Sequence, residues 1–228
     1  MDEENVPEWV VRRLSAVLPV LVRYFPEESL AMGGGTILQA RWNHRISTDI
    51  DLFTATDVFN SVIRTSAAEM ERDLYRISAV NTHRSWVDLS TIYCDVEGTE
   101  LTVMPSDPLV FEVCDRVVPS TRVKTEASAL ILNKKIVGRM IGGGAYEIRD
   151  IFDLYTAINK DRAALREAIR PIPQRSRDEV SAMLRSLPDR WFRETTKPLR
   201  GVANQPSYNT MIDAIAHELS LSQSREDD

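Results

Sequence analysis

The sequence has few of the residues from which common metal and redox sites are built. It contains only two cysteines, Cys94 and Cys114, and three histidines in 228 residues. Neither residue type shows the spacing of a zinc site, and both cysteines fall in segments with strand character. These features count against a structural zinc protein and against a disulfide framework. We therefore expect buried, reduced thiols.

Long apolar runs are also absent. No stretch approaches the roughly 18 apolar residues of a membrane-spanning helix. The first ten residues, MDEENVPEWV, are acidic where a signal peptide would be basic. We therefore expect a cytoplasmic protein with no membrane partner.

Positive charge is scarce overall, but one segment is rich in it. The formal net charge of −6 argues against a generally basic nucleic-acid coat. Between residues 160 and 200, however, eleven Lys and Arg stand against six Asp and Glu, a local charge of +5. Such a block is either a solvated helical face or a surface for phosphates.

Hydrophobic periodicity divides the chain into an α/β half and a helical half. Amphipathic helices are predicted at residues 7–23, where Pro19 should kink or end the helix, and at 57–75. The predicted strands are SLAM, DIDLF, WVDLSTIYCDV and ELTVMP, with EGT as a hairpin turn between the last two. From about residue 128 the pattern is helical. We expect an α/β (α+β) fold in which helices flank a mixed sheet and an all-helical half follows.

Three consecutive glycines at residues 33–35 precede a short helix, which we expect to begin at Thr36. A turn formed by Gly34, Gly35 and Thr36 exposes backbone N–H groups at the positive end of the helix dipole. That arrangement suits a phosphate, and glycine lets the ligand approach the backbone closely. The alternative is a tight strand-to-helix turn without a ligand.

Two aspartates, Asp49 and Asp51, follow about a dozen residues later on a predicted strand. Residues two apart on a strand point to the same face, so we expect both carboxylates to lie together beside the glycine turn. Mg²⁺ prefers carboxylate and phosphate oxygens. The pattern therefore predicts a magnesium site for a nucleoside triphosphate, the alternative being a solvated strand edge.

The stretch GGGTILQARWNHRISTDIDLF resembles the first motif of the nucleotidyltransferase superfamily. It is most similar to the AbiEii/AbiGii toxin branch, which includes the MenT-type toxins and in which Gly-Gly-Thr is followed by R-x-S-x-D-h-D-L-F (h, apolar). A second stretch, ILNKKIVGRMIGGGAYEIRDIFDLY, resembles the lysine, arginine and R-D-h-h-D-L motifs of that branch. Together the two motifs bracket residues 33–155.

The resemblance implies roles for individual residues. Asp49 and Asp51 would hold the metal, Arg45 and Ser47 would touch phosphate or fix the turn, and Lys135 rather than Lys134 would contact the nucleotide. Asp150 is a candidate to accept the proton of the incoming hydroxyl or to align Lys135, the alternative being an ion pair with Arg149 or another basic side chain. For Asp153 we favour a role in helix packing, and Gly142–Gly144 should only separate two helices. The domains would be residues 1–127, nucleotidyltransferase-like, and 128–228, a helical domain completing the active-site cleft.

One position departs from the superfamily pattern. Related transferases usually carry a third carboxylate on the neighbouring strand, where the register of TELTVMP predicts Thr102. Asp95 or Glu100 would replace it only in another register. Without the third carboxylate, Asp150 would carry more of the role of general base.

The resemblance implies a magnesium-dependent enzyme that moves a nucleoside monophosphate from a nucleoside triphosphate to an acceptor hydroxyl. It further implies a toxin of a bacterial toxin–antitoxin or phage-defence system, with the tRNA 3′ end as acceptor and an antitoxin protein as partner. Two alternatives remain open at this point. One is a transferase acting on a protein or a small molecule, and the other is a catalytically silent nucleotide-binding protein.

Overall fold

The computed structural model describes residues 2–106, 113–188, 190–191, 194 and 198–221. The fold is α/β, as predicted, with a mixed sheet followed by helices. Two compact units are distinguished by their internal contacts. The sheet unit comprises Met1–Asn43 and Ser47–Ala127, and the helical unit comprises His44–Ile46 and Ser128–Asp228.

The sheet unit contains one eight-stranded sheet with the order β1-β7-β8-β2-β3-β6-β5-β4. The strands are β1 (Asp2–Glu3), β2 (Ala31–Gly33), β3 (Ile50–Thr54), β4 (Trp86–Val87), β5 (Ile92–Val96), β6 (Thr99–Pro105), β7 (Val113–Val117) and β8 (Lys124–Glu126). The helices are α1 (Glu8–Leu21), α2 (Gly34–Trp42) and α3 (Thr56–Leu74), with 3₁₀ turns at Glu27–Ser29 and Thr82–Arg84. Strand β3 pairs antiparallel with β2 and parallel with β6, so it lies in the middle of the sheet.

Side chains of the central strands alternate between a buried and a partly exposed face. In β3, Ile50 and Leu52 are fully buried, whereas Asp51 and Phe53 are partly exposed. Leu101 and Val103 of β6 pair with Ile50 and Leu52 and are buried as well. The period of two therefore directs Asp51 away from the core.

Two element boundaries differ from the prediction. Helix α1 continues two residues past Pro19, so this proline does not end it. A proline near the last turn removes only one backbone hydrogen bond, while Leu14, Val17 and Leu21 of the same helix are fully buried. Helix α2 begins at Gly34 rather than at Thr36, so two of the three glycines form its first turn.

Strand β8 was not predicted, and for β7 only the strand character of the segment around Cys114 was noted. They form an antiparallel pair, and β8 lies parallel to β2. Both are short, and β8 falls beyond Pro119, where the composition already shifts towards the helical half. Of the two cysteines, Cys94 is a buried free thiol, whose pKa burial raises to about 12. The side chain of Cys114 lies outside the described residues.

The described part of the helical unit contains only helices, as predicted. They are α4 (Ser128–Asn133), a π-helix (Lys134–Gly142), α5 (Ile148–Lys160), α6 (Arg162–Ile169), α7 (Gln174–Ser186) and α8 (Tyr208–Ser220). The sequence predicted a helix in this segment but did not indicate its π type. π-Helices are rare, and those that occur are often found at functional sites. Gly142 to Gly144 lie between it and α5. In the ranges that the structure describes, no helix combines the length and the apolar character needed to cross a membrane.

Candidate active site

Two carboxylates lie against the glycine turn that joins β2 to α2. A Cβ atom built on Gly34 would meet Oδ2 of Asp51 at 2.1 Å, and one built on Gly33 would meet Oε2 of Glu126 at 2.1 Å. Gly34 also has a φ of +70°, in the left-handed region. A side chain at either position would collide with a carboxylate. Glycine is therefore required here because acidic groups occupy the space beside the backbone.

The same turn is the amino-terminal end of α2, where the helix dipole is positive. This end was predicted to suit a phosphate, with magnesium at the neighbouring aspartates, the alternative being a tight turn without a ligand. Asp51 and Glu126 already bring negative charge to it, so a phosphate would be repelled unless a cation came with it. The geometry thus favours a cation–phosphate pair over a bare phosphate.

The neighbour of Asp51 on β6 is Thr102, as the predicted register requires. Its Oγ1 donates a hydrogen bond of 3.2 Å to Oδ1 of Asp51. Asp95 is paired with Glu100 across β5 and β6, and its Oδ2 lies 3.0 Å from Nη1 of Arg84. Neither acid replaces Thr102 in the register.

Hydrogen bonds tie the segment before β3 to helix α2. Thr36 of α2 donates its hydroxyl to the backbone carbonyl of Asp49. The backbone N–H of Ser47 donates to Oε1 of Gln39, at 2.6 Å. Asp49, partly exposed, accepts a hydrogen bond at its own carboxylate from Thr48. Thr36 and Ser47 therefore fix the position of the aspartate segment relative to the glycine turn.

In the helical unit, Asp153 is the centre of a buried charge cluster. The carboxylate is fully buried and accepts two hydrogen bonds from Arg45, at 2.7 and 2.8 Å. Nε2 of His44 lies 2.6 Å from its Oδ1, and Nζ of Lys135 lies 3.0 Å from its Oδ2. Arg45 is itself buried, and its contacts favour fixing the turn over touching phosphate. Asp153 was expected to serve in helix packing; in the structure it forms ion pairs with Arg45 and Lys135 and contacts His44.

Asp150 is the second acid of this cluster. Its Oδ1 lies 2.5 Å from Nζ of Lys135, and its Oδ2 lies 3.0 Å from Nη1 of Arg139. The alternative partner, Arg149, pairs with Glu147 instead, at 2.9 Å. The contacts of Asp150 with Lys135 and Arg139 agree both with the predicted alignment of Lys135 and with the alternative, an ion pair with a basic side chain.

The pKa values of both acids are lowered. Burial by itself would raise the pKa of Asp150, but Lys135 and Arg139 outweigh it. Burial would likewise raise the pKa of Asp153, yet Arg45 and Lys135 hold it well below its ordinary value. Both groups are therefore ionised at neutral pH. A carboxylate with a lowered pKa is a weak proton acceptor, which counts against Asp150 as a general base.

The carboxylates at the glycine turn fit a hard divalent cation. Magnesium is commonly held by one or two carboxylates together with substrate phosphates rather than by a complete protein cage. Within the residues described here, no group of three or more His, Cys, Asp or Glu side chains is arranged to hold a metal ion.

Three of the residues described above were not assigned a role from sequence. Glu126 was missed because β8 was missed, and only a strand beside β2 would have revealed it. Arg139 follows Lys135 by four residues and matches the arginine of the second motif, which was a usable indication. His44 immediately precedes Arg45 but belongs to no motif, and nothing in the sequence pointed to it.

A mixed sheet with an acidic strand beside a glycine turn, followed by helices with a buried Lys–Asp cluster, defines the chain as a nucleotidyltransferase. The family model described as the nucleotidyl transferase AbiEii toxin of type IV toxin–antitoxin systems matches residues 17–225. The chain belongs to this family. None of the curated protein sequences matches it.

One solved structure shares the fold at low sequence identity, and two others are less similar. A candidate nucleotidyltransferase from Helicobacter pylori superposes with a TM-score of 0.50 at 13% identity, covering 94% of each chain. JHP933 from Helicobacter pylori gives a TM-score of 0.48 at 13% identity, covering 94% of this chain and 91% of that one. The antibiotic-resistance factor ANT(2″)-Ia gives a TM-score of 0.39 at 15% identity, covering 77% and 91%.

Proposed function

We propose that this nucleotidyltransferase moves a nucleoside monophosphate from a nucleoside triphosphate to a hydroxyl at the 3′ end of RNA, with tRNA as the acceptor. A bond forms between the acceptor oxygen and the α-phosphorus, the bond from that phosphorus to the bridging oxygen breaks, and pyrophosphate leaves. The acceptor proton passes to solvent. In the cell this transfer is toxic, and a cognate antitoxin protein opposes the toxicity in the cytoplasm.

The observation that carries this proposal is that two acidic side chains pack against the glycine turn. Asp51 and Glu126 fill the space that side chains at Gly34 and Gly33 would need. Asp51, together with Asp49 just before β3, would hold magnesium with the triphosphate. When bound, magnesium supplies charge neutralisation of the phosphates and of the leaving pyrophosphate. Because phosphoryl transfer has a loose transition state, such positioning matters more than a strong base.

The helical unit supports a separate assignment for its basic residues. The side chain of Lys135 is 6% exposed and engaged with two acids, whereas that of Arg139 is 44% exposed. We assign phosphate binding by this unit first to Arg139, with Lys135 holding the cluster together. Arg139→Ala should weaken triphosphate binding and should lower stability less than Lys135→Ala, because Asp150 keeps Lys135 as a partner. Lys135→Ala should also destabilise the fold, because it leaves Asp150 and Asp153 short of a cation.

The basic block between residues 160 and 200 is the segment best suited to RNA backbone. Within it, Arg162 and Arg166 lie 2.9 and 3.7 Å from the buried carboxylate of Glu218. Charge reversal there would harm the fold as well as RNA binding. Arg170 and Arg185 of the same block are exposed and give the cleaner test.

The charge-reversal variant Arg170→Glu with Arg185→Glu should lose RNA affinity and keep triphosphate binding. The loss of two phosphate contacts should also make affinity less dependent on salt: the steepness of log affinity against log salt should decrease by about 2. RNA affinity equal to that of the parent at low salt would remove this surface from the proposal.

One gel tests donor, acceptor and activity together. Purified protein is incubated with each labelled triphosphate, magnesium and total RNA, and the labelled product is sized. Label in a band of tRNA length supports the proposal. Label confined to protein or to a small metabolite would instead show that the acceptor is not RNA.

Thr102 supports one competing function. A threonine replaces the expected third carboxylate and is hydrogen-bonded to Asp51. A protein that binds nucleotide without turning it over would tolerate this replacement. In that case, growth arrest on expression would persist in Asp51→Asn, whereas the transferase proposal requires that it disappear.

A further inference from the structure

A row of paired residues crosses the sheet through Asp51. Trp86 of β4 pairs with Tyr93 of β5, and Tyr93 pairs with Thr102 of β6. Thr102 pairs with Asp51, and Asp51 pairs with Gly33 of β2. Directly opposed residues of neighbouring strands project from the same face. The two aromatic rings therefore stand on the face of the sheet that carries Asp51.

The two rings form a flat, partly exposed stack. The centroids of Trp86 and Tyr93 lie 4.1 Å apart, and the ring planes differ by 7°. Trp86 is 45% exposed and lies on an edge strand of only two residues. Such a pair stabilises a hairpin, but an indole this exposed contributes less to the core than a buried one would. Its exposed surface remains able to stack on a further planar group.

The position of this stack relative to Asp51 corresponds to the acceptor side of the reaction. The glycine turn, where we place the donor phosphates, lies on one side of Asp51, and Thr102 and the aromatic pair lie on the other. In phosphoryl transfer the attacking and leaving oxygens are roughly in line. An acceptor therefore approaches from the side opposite to the leaving group, over Thr102 and Tyr93.

The distances suit a single nucleotide. Neighbouring strands are about 4.8 Å apart, which puts Tyr93 about 10 Å and Trp86 about 14 Å from Asp51 along the row. A terminal nucleotide with its hydroxyl near Asp51 would bring its base over these rings. Asp95 shares this face with Tyr93, two residues further along β5, and its partner Arg84 has a side chain that is 62% exposed. This cation is available to the preceding phosphate.

We propose that Trp86 and Tyr93 form a stacking platform for the terminal nucleobase of a single-stranded RNA acceptor. The proposal rests on the transferase function above and specifies the chemistry of its acceptor: a base-bearing 3′ end rather than a protein or an aliphatic hydroxyl. Sequence-specific RNA recognition typically uses single-stranded ends whose bases stack on aromatic side chains. Stacking of this kind tolerates every base, because each has a π-face.

The test is a binding cycle that needs no catalysis. Two short single-stranded oligoribonucleotides carry a dye at the 5′ end; one ends in an ordinary nucleotide and the other in a nucleotide without a base. Affinities are measured by fluorescence anisotropy for the parent protein, for Trp86→Ala and for Trp86→Phe. Leu89→Ala is the matched control, because Leu89 is 81% exposed and lies between β4 and β5.

The parent should bind the ordinary probe roughly 5- to 150-fold more tightly than the abasic one, as expected for one stacked base. In Trp86→Ala that preference should shrink towards one, with Trp86→Phe intermediate and Leu89→Ala unchanged. Equal affinity of the parent for both probes would overturn the platform, even if RNA is labelled in the transfer assay. If Trp86→Ala fails to fold, the same two probes are compared for the parent and for Trp86→Phe. A preference for the ordinary probe that is smaller in Trp86→Phe than in the parent then supports the platform, and no difference contradicts it.

The two proposals fail in different ways. A base-dependent preference that requires Trp86, seen without any transfer of label to RNA, supports the platform and contradicts the transferase proposal. Transfer to RNA without that preference contradicts the platform alone.

Discussion

Replacing Gly34 by alanine should cause a large loss of activity and only a small loss of stability. The left-handed φ of +70° costs an alanine about 1–2 kcal/mol relative to glycine. For a chain of this length that amounts to a fall in Tm of about 2–8 °C. The new Cβ would also lie 2.1 Å from Oδ2 of Asp51, so the carboxylate must move by about 1 Å to restore an ordinary contact. A displacement of that size at a reacting centre costs on the order of 100-fold in rate.

Gly98→Ala separates the two effects. Gly98 has a φ of +78° in the hairpin turn between β5 and β6, and a Cβ there would meet nothing within 4 Å. Both variants should therefore lose similar stability in thermal denaturation. Only Gly34→Ala should lose transfer of label from triphosphate to RNA at a temperature where both are folded. Gly33→Ala tests Glu126 in the same way, without the left-handed φ.

Equal activities of Gly34→Ala and Gly98→Ala would refute the reasoning. That result would mean that the close approach of Asp51 to the turn has no part in the reaction. A large loss of activity in both variants would show that backbone strain, not the carboxylate, is responsible.

Three further predictions concern buried groups. Asp153→Ala should lower the free energy of unfolding by about 3–5 kcal/mol, because it leaves buried cations unpaired. Glu179→Ala, which removes an exposed ion pair, should lower it by less than about 1 kcal/mol. Denaturant titration compares the two variants, and equal losses would contradict a stabilising role of the buried charge cluster. Because the pKa values of Asp150 and Asp153 are lowered in the folded state, their contribution to stability is complete above the unfolded value of about 3.9 and is lost as the pH falls below it towards the folded values. Unfolding midpoints measured from about pH 6 down to about pH 2 should show this loss, and Asp153→Asn should flatten the curve. In a Cys114→Ser background, Cys94, whose pKa is about 12, should resist a thiol reagent at pH 8 until the protein unfolds, and rapid labelling of the native state would contradict its burial.

Local sequence patterns were sufficient for the acidic strand and its neighbours. The alternation in DIDLF predicted β3, and the same period of two placed Thr102 beside Asp51, which the pairing confirms. These predictions succeeded because strand register follows from which face is buried. Lys135 and Asp150 were found through motifs, and their contact at 2.5 Å agrees with the role of alignment.

The remaining contacts depend on tertiary structure that no local pattern encodes. Glu126 approaches Gly33 only because β8 lies beside β2, a pairing between segments that are far apart in sequence. Arg45 follows the glycine-turn helix in the chain, yet its contacts are with Asp153, 108 residues away. The resemblance left open whether Arg45 touches phosphate or fixes the turn, and only the tertiary structure shows that a buried acid holds its guanidinium.

The most direct measurement is the calorimetric titration of nucleoside triphosphate into the parent protein and into Asp51→Asn, each with and without magnesium. The parent should take up triphosphate with magnesium and only weakly without it, because the carboxylates at the glycine turn repel a bare phosphate. Asp51→Asn should lose most of the difference between the two conditions. Binding by the parent that is equally tight without magnesium, or a magnesium dependence that Asp51→Asn leaves intact, would contradict a cation held between these carboxylates and the triphosphate.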